Sequence, residues 1–564
     1  MSIERGRRLE WLLPGLARLL GYRRAFLRAD LVAGLTVGAM LVPQCMAYAE
    51  LARMPPQAGF HAALFALVVY AFVGTSRHLG VGPEPGTAIL AATGVAALAG
   101  GDPARHAALM PTLAFLVGVV GVVGAVARLG FLAELLSKPV LVGYITGVAL
   151  TLLSSQIGKV TGIPIAADGF FSRCSELFHS IERTNPATLA LASATLALLL
   201  VLRRKAPTLP SALIGVVAAT VVSSLLHLEA RGVKLVGPIP AGLPHPAWPA
   251  FALADVLRLV PVALGIALVG YTDNVLTARA IGQKLGYRIE PNHELGALGL
   301  VNLASSFSGG FPISSSASRT AVPASLGSHT QLVGLVAAAF LFVALEVLHP
   351  WLSAIPQAAL GAVIVSAALA ILDLEGLRSL GRISRPELAI ALATALSVMA
   401  FDVLTGVLLA VAASVIFAFA RMAVPHDAVL AMGETLDGWV DAELYGASGT
   451  KLPGLLVYRF DAPLFFANAN RFRERLEEVL ERNPGEERWI VLDFEGIGDV
   501  DATAVDVLAE VVAEQRAAGR VVAVTRTNRR ALEKLERAGL TDPERGFRVF
   551  ATIRAAVRAF EATL

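Results

Sequence analysis

Apolar runs recur along the first three-quarters of the chain, and several are as long as a bilayer is thick. Stretches 111–127, 187–202, 331–348 and 388–417 each meet or approach the roughly 20 apolar residues needed to cross hydrocarbon. Only 16% of the 564 residues are charged, against about a quarter in soluble domains. With no water in the bilayer core to satisfy backbone N–H and C=O groups, runs of this kind have to be helices. The sequence therefore describes a polytopic α-helical membrane protein.

Charge divides the chain. Before Pro425 there are 29 Lys and Arg against 20 Asp and Glu; from there on there are 18 against 24. A shift in both sign and density marks a domain boundary. The expected organisation is a lead-in over 1–29, a membrane domain over 30–424 and a soluble domain over 425–564. The lead-in has dispersed arginines and no small-residue cleavage site after a single apolar core, so it reads as cytoplasmic rather than as a signal peptide. Of the two cysteines, Cys45 falls in an apolar run and Cys174 in a polar loop (158–187), which points to free thiols rather than a disulfide or metal cluster.

Apolar runs set against breakers give about fourteen segments: 30–52, 57–74, 85–99, 107–127, 134–157, 186–202, 209–228, 252–280, 292–308, 314–326, 329–348, 357–372, 387–402 and 403–422. With the N-terminus inside, Arg203, Arg204 and Lys205, then Arg279, Lys284 and Arg288, then Arg378, Arg382 and Arg385 all fall on the cytoplasmic side. An even count also returns the acidic C-terminal domain to the cytoplasm.

Two segments, 85–99 and 314–326, are too short to cross alone, and they share punctuation. GVGPEPGTA (80–88) precedes the first and GGFPISSSA (309–317) the second, each at the third element of its half. Paired, Gly/Pro-interrupted segments in two halves of a transporter point to a binding site at the membrane midplane. Facing half-helix N-termini would aim N–H groups and positive dipole ends at one point, which would attract an anion. The alternative is two kinked helices whose serines bond to their own backbone.

Arg319 bears on that choice, because a cation within a span needs a partner or a function. Thr87, Ser316 and Ser318 supply hydroxyls beside the same breaks. Gln44 and Tyr48, four apart on one face of the first segment, either line the site or pair between helices. Asp273 and Thr277 share a face in the same way. A carboxylate there is a candidate for binding a coupling proton or cation, or for an ion pair with Arg279 or Arg319. Glu84 and Asp402 are weaker candidates, and Asp30 is expected at the water interface.

PQCMAYAEL, GVGPEPGTA and NHELGALGLVNLASSFSGGFPISSSASRTA, taken in order, resemble the motifs of the sulfate permease (SulP) anion transporters, over nearly the whole chain. The Pro-Gln-x-x-Ala-Tyr-Ala motif is 43–49 here, and the Phe-Pro…Ser-Arg-Thr-Ala motif is 311–321. The resemblance implies seven plus seven spans in inverted repeats, with a core (spans 1–4 and 8–11) moving against a gate (spans 5–7 and 12–14) in a homodimer. It implies an anion between spans 3 and 10, with Gln44, Tyr48, Ser318 and Arg319 at substrate positions. Asp273 occupies the acidic position of span 8, and its spacing to Thr277 is similar to the sodium site of bicarbonate-transporting members. Glu84 departs from the family pattern. A carboxylate there repels an anion unless protonated, so it either joins Asp273 as a proton-linked group or is turned away from the site.

After Pro425 the pattern alternates. LLVYRF, WIVLDFEGI and RVVAVTR read as buried strands, ANRFRERLEEVLERN and DATAVDVLAEVVAEQRAAG as amphipathic helices. This resembles a STAS domain, an α/β module that can bind a cytoplasmic protein. Thr503 matches the position phosphorylated in anti-sigma-factor antagonists, with Ala504 replacing the usual Gly; Asp501 and Thr503 also fit a helix N-cap.

The expected function is secondary active transport of a small anion across a bacterial inner membrane, in the leading form proton-coupled symport of a dicarboxylate such as fumarate. Sodium-coupled bicarbonate or sulfate transport, an uncoupled channel or exchanger, and a sensor acting through the STAS domain are the alternatives. No cofactor is expected beyond a coupling H+ or Na+, and no nucleic-acid partner. The sequence carries no nucleophile–base or metal constellation of an enzyme.

Overall fold

Proline opens several of the membrane helices. Pro56, Pro85, Pro103, Pro186 and Pro291 each stand in the first turn of a span, where the N–H that proline lacks would have no helical partner. The computed structural model describes residues 13–134, 137–165, 167, 169–239, 242, 248–249, 251–401, 403–433, 438–444, 449–450, 452–482, 487–542, 544 and 546–564. It divides into two units, Met1–Ser414 and Val415–Leu564.

Helices stand at all fourteen expected positions. Spans 1–7 are Leu27–Leu51, Pro56–Val73, Pro85–Ala99, Pro103–Val126, Lys138–Ser155, Pro186–Lys205 and Ser211–Leu225. Spans 8–14 are Leu253–Lys284, Pro291–Phe307, Ala317–Ser325, Leu332–Val347, Gln357–Ile371, Arg385–Ala400 and Val403–Ala423. Spans 3 and 10, of 15 and 9 residues, are the half-helices. The loop expected over 158–187 contains a further amphipathic helix, Phe170–Ser180, and a second one, Leu374–Ile383, links spans 12 and 13. Mixed polar and apolar residues hid both from a search for apolar runs.

The helices pack in two groups. Span 4 lies on spans 9, 8 and 3, span 1 on spans 2 and 11, and span 2 on spans 9 and 11; span 5 lies on spans 13 and 12, and span 6 on spans 12 and 7. These are the core and gate of the expected fold. Several pairings recur when each span number is shifted by seven: 4 on 9 becomes 11 on 2, 1 on 11 becomes 8 on 4, and 5 on 13 becomes 12 on 6. That recurrence is the contact pattern of two repeats of seven spans. Glycine sets the closest approach. A side-chain atom on Gly299 would stand 2.6 Å from the Val122 backbone nitrogen, and one on Gly143 would stand 2.2 Å from the Ala391 carbonyl. Lipid offers no hydrophobic drive between helices, so backbone contact at small residues supplies the packing.

The second unit carries a sheet of β3 (Asp427–Gly433), β4 (Trp439–Asp441), β5 (Gly449–Thr450), β6 (Leu455–Phe460), β7 (Trp489–Asp493), β8 (Val521–Thr525) and β9 (Arg548–Phe550). The order is β4-β3-β6-β7-β8-β9, with β5 also on β3; β6 through β9 are parallel and β3 runs antiparallel to β6. Alternate residues face opposite layers. Leu456, Tyr458, Ile490 and Leu492 pack under helices Ala469–Glu481 and Ala502–Ala517, while Leu455, Val457, Trp489 and Val491 pack under Ile553–Glu561. Asp501 is the N-cap, its Oδ1 accepting from the Ala504 N–H at 2.8 Å, and Thr503 is exposed. Cys45 and Cys174 are free.

Candidate functional site

The two breaks meet. β1 (Val81–Gly82) pairs antiparallel with β2 (Ser314–Ser315), Val81 opposite Ser315 and Gly82 opposite Ser314. The ladder continues at its edge, where the Ser316 N–H donates to the Gly80 carbonyl and the Gly80 N–H to Thr320 Oγ1, both at 3.0 Å. Two half-helix N-termini are thereby pinned to one short ribbon. Glycine is required beside it: a side-chain atom on Gly80 would fall 2.7 Å from Arg319 Cβ.

The two N-termini are finished differently. In span 3, Glu84 Oε2 accepts from the Thr87 N–H at 2.8 Å and from Thr87 Oγ1 at 3.1 Å, so the carboxylate that looked like an intruder caps its own helix. In span 10 no side chain caps the helix. Ser316 Oγ lies 3.0 Å from Ser318 Oγ instead, with Ser316 half-buried and Ser318 exposed.

Arg319 is fully buried, in the first turn of span 10. Its Nη1 donates to Gln44 Oε1 at 3.0 Å, while Nε and Nη2 are buried with no hydrogen-bond partner among the described residues. Orphaned buried donors cost about 1–3 kcal/mol each, more when charged, so this arrangement is poised for an acceptor. Tyr48, Cys45, Glu84 and Asp273 all lie within electrostatic reach of the guanidinium. Gln44, Tyr48 and Thr87 are buried, and Asp273 is half-buried. Asp273 makes no ion pair with Arg279 or Arg319 among the described residues. Thr277, half-buried one turn further along span 8, shares none of the hydrogen bonds that assemble the cluster. Asp402 lies outside the described residues.

Three features escaped the sequence reading. Tyr144, on span 5, sets its hydroxyl against Gly86 at the start of span 3; a single tyrosine in an apolar run gave no signal. Glu294, on span 9, is fully buried and accepts from the Tyr70 hydroxyl (2.9 Å), the Thr75 and Ser76 N–H groups (2.9 and 3.0 Å), the Thr75 hydroxyl and Asn274 Nδ2 (3.3 Å). An acid inside a span was the available sign. Asp30, expected at the water interface, is instead fully buried and accepts from the His329 N–H (2.7 Å), Thr330 Oγ1 (2.6 Å) and the Tyr22 hydroxyl (3.2 Å). No cluster of metal-ligating side chains occurs among the described residues.

Comparison with known proteins gives two family matches: residues 27–394 with the sulfate permease family and 448–556 with the STAS domain. The probable sulfate transporter MT1781 of Mycobacterium tuberculosis is 43% identical over 547 residues, covering 97% of this chain and 98% of that one. Mouse solute carrier family 26 member 10 is 30% identical, over 97% of this chain and 86% of its own. The structure superposes on murine Slc26a9, an anion transporter solved in the inward-facing state, with a TM-score of 0.89 at 24% identity, covering 98% of this chain and 94% of the other.

Proposed function

The chain belongs to the sulfate permease family of membrane anion transporters and carries a STAS domain, and from that premise we propose that it moves a small oxyanion by proton-coupled symport, through alternating access of its core and gate. The observation that carries this reading is Arg319: a buried guanidinium with two unpartnered nitrogens, beside a half-helix N-terminus that no side chain caps. An anion placed there would accept from Arg319 and from the first N–H groups of span 10, replacing its water shell with fixed donors.

Proton coupling takes its support from Glu84 and Asp273. Two carboxylates near a bound anion oppose its charge, and protonating them removes the repulsion. A proton entering with the substrate would then lower the cost of loading. Sodium held by Asp273 and Thr277 is the competing form.

Sulfate is supported as substrate by the 43% identical relative named as a probable sulfate transporter. A dicarboxylate such as fumarate is the second reading, favoured by the extra acid Glu84. The reading places both termini and the STAS domain in the cytoplasm, on the strength of the basic inner loops, and takes the homodimer and the bacterial inner membrane from the resemblance to the family. Uptake of labelled sulfate, fumarate and bicarbonate into proteoliposomes, under imposed pH or sodium gradients, tests all of this. Uptake driven by sodium and indifferent to the pH gradient would sink the proton form.

A further inference from the structure

We propose that Tyr144 is an anion-contacting residue supplied by the gate, donating its phenolic hydrogen to the bound anion across the core–gate boundary. The proposal rests on the anion site described above.

Span 5 packs on spans 12 and 13, within the gate. Its Tyr144 nevertheless reaches the core half-helix. A side-chain atom built on Gly86 would lie 3.0 Å from the Tyr144 hydroxyl oxygen and 3.2 and 3.4 Å from the two Glu84 carboxylate oxygens. The hydroxyl therefore stands over the N-terminal turn of span 3, beside Glu84.

Tyr144 is only 8% exposed, and its hydroxyl makes no hydrogen bond to any described residue. A buried tyrosine ordinarily finds a partner for its O–H, because leaving it unpaired forfeits the water it gave up. Here the residue is buried, its hydroxyl is unpaired, and it stands at the N-terminal turn of span 3, whose partner half-helix carries a guanidinium with two nitrogens that find no acceptor among the described residues. An oxyanion is the ligand class that completes all of them at once. Arg319 and the span-10 backbone would hold it from the core, and Tyr144 from the gate.

A contact from the gate differs from the others in one respect. Alternating access moves the core against the gate, so the Tyr144 hydrogen bond exists in one arrangement and is broken in the other. It strengthens binding from the side on which it forms and leaves the opposite side unaffected. A core residue such as Arg319 travels with the anion and affects both sides.

The test uses the full-length chain in oriented proteoliposomes with sulfate and fumarate as probes, measuring KM from each face. Tyr144→Phe, which keeps the ring, should raise KM about tenfold from one face, with maximal rate and melting temperature little changed. Arg319→Ala, measured in parallel, should raise KM from both. If Arg319→Ala weakens binding and Tyr144→Phe leaves both KM values unchanged, the Tyr144 proposal fails while the anion site stands. If Arg319→Ala is silent, or the unaltered chain binds neither probe, the site reading fails and this proposal with it. Should the Phe variant melt markedly lower, Tyr144→Trp at the same position decides: loss of the one-sided effect in a stable variant overturns the proposal.

Discussion

Arg319 Nη1 donates to Gln44 Oε1 at 3.0 Å, so the one hydrogen bond this guanidinium makes among the described residues holds it against span 1 and points its other nitrogens elsewhere. Gln44 acts as the rest on which the charge is aimed. Arg319→Ala removes both charge and donors, and a charge-assisted contact of about 1.5–3 kcal/mol corresponds to a loss of about ten- to hundredfold in anion affinity. Gln44→Ala keeps the charge and frees its direction, so its loss should be smaller, near tenfold. Equilibrium binding of sulfate to purified protein checks both; equal losses would contradict this division of labour.

Gly80 tests the ribbon. Its missing side chain is what lets the Arg319 backbone come within reach, and Gly80→Ala places an atom 2.7 Å from Arg319 Cβ and 3.1 Å from the Arg319 carbonyl carbon. Overpacking of this kind costs about 1–3 kcal/mol. Because the displaced group is the anion-facing arginine, uptake should fall further than the melting temperature implies. A variant that transports normally would mean that the ribbon need not hold its register.

Much of this was written in the chain. Fourteen spans follow from run length and apolarity, and the paired breaks at Pro85 and Pro312 follow from their shared punctuation. The pairing of Val81 with Ser315 does not, since two residues per strand carry no period for a sequence to display. Glu84 was legible as an acid near the site, but its cap on Thr87 depends on the backbone turn that brings them together. In the second unit, β6, β7 and β8 stand out because each carries a run of four apolar residues, whereas β4, β5 and β9 are too short to show alternation. Tyr144 belongs to a contact between spans far apart in sequence, and nothing local records it.

Glu294 should be a stability determinant. Its carboxylate accepts five hydrogen bonds from spans 2 and 8 and from the link after span 2. Glu294→Ala strands those donors in a buried site, with an expected cost of about 3 kcal/mol or more. Glu294→Gln retains an acceptor oxygen and should lose roughly half as much. Thermal melting of the detergent-solubilised chain measures both, and a Gln variant as unstable as Ala would assign the effect to charge rather than hydrogen bonding.

Acid should loosen the C-terminal unit. The hydrogen bond from Lys534 Nζ at 2.7 Å, with the Val500 N–H, holds the Asp499 carboxyl below its ordinary range. A depressed carboxyl contributes stability above its unfolded value of about 3.9, lost as pH falls through the lower folded value. The pair is half exposed, so the effect is small. Hydrogen exchange of the β7–β8 region in the full chain should quicken below about pH 4, and less so in Lys534→Met. Equal acid response in both would place the sensitivity elsewhere.

Core and gate also meet at an ion pair. Lys159, in the short helix Ile157–Thr161 that follows span 5, lies 2.6 Å from Glu50 Oε1 near the end of span 1. Side chains 20% and 31% exposed place it at the margin between buried and surface pairs. If core and gate separate here during transport, this contact breaks in every cycle, and its strength sets part of the balance between the two arrangements. A partly exposed pair is worth about 0.2–1 kcal/mol, so Lys159→Met or Glu50→Gln should shift that balance by at most about fivefold. The shift should appear as opposite changes in KM on the two faces, with little effect on overall fold. Glu50→Lys combined with Lys159→Glu restores the attraction with the charges exchanged and should recover most of the original asymmetry. A double variant whose effects simply add would show that the two side chains do not act on each other during transport, and the pair would then be a resting contact with no part in the cycle.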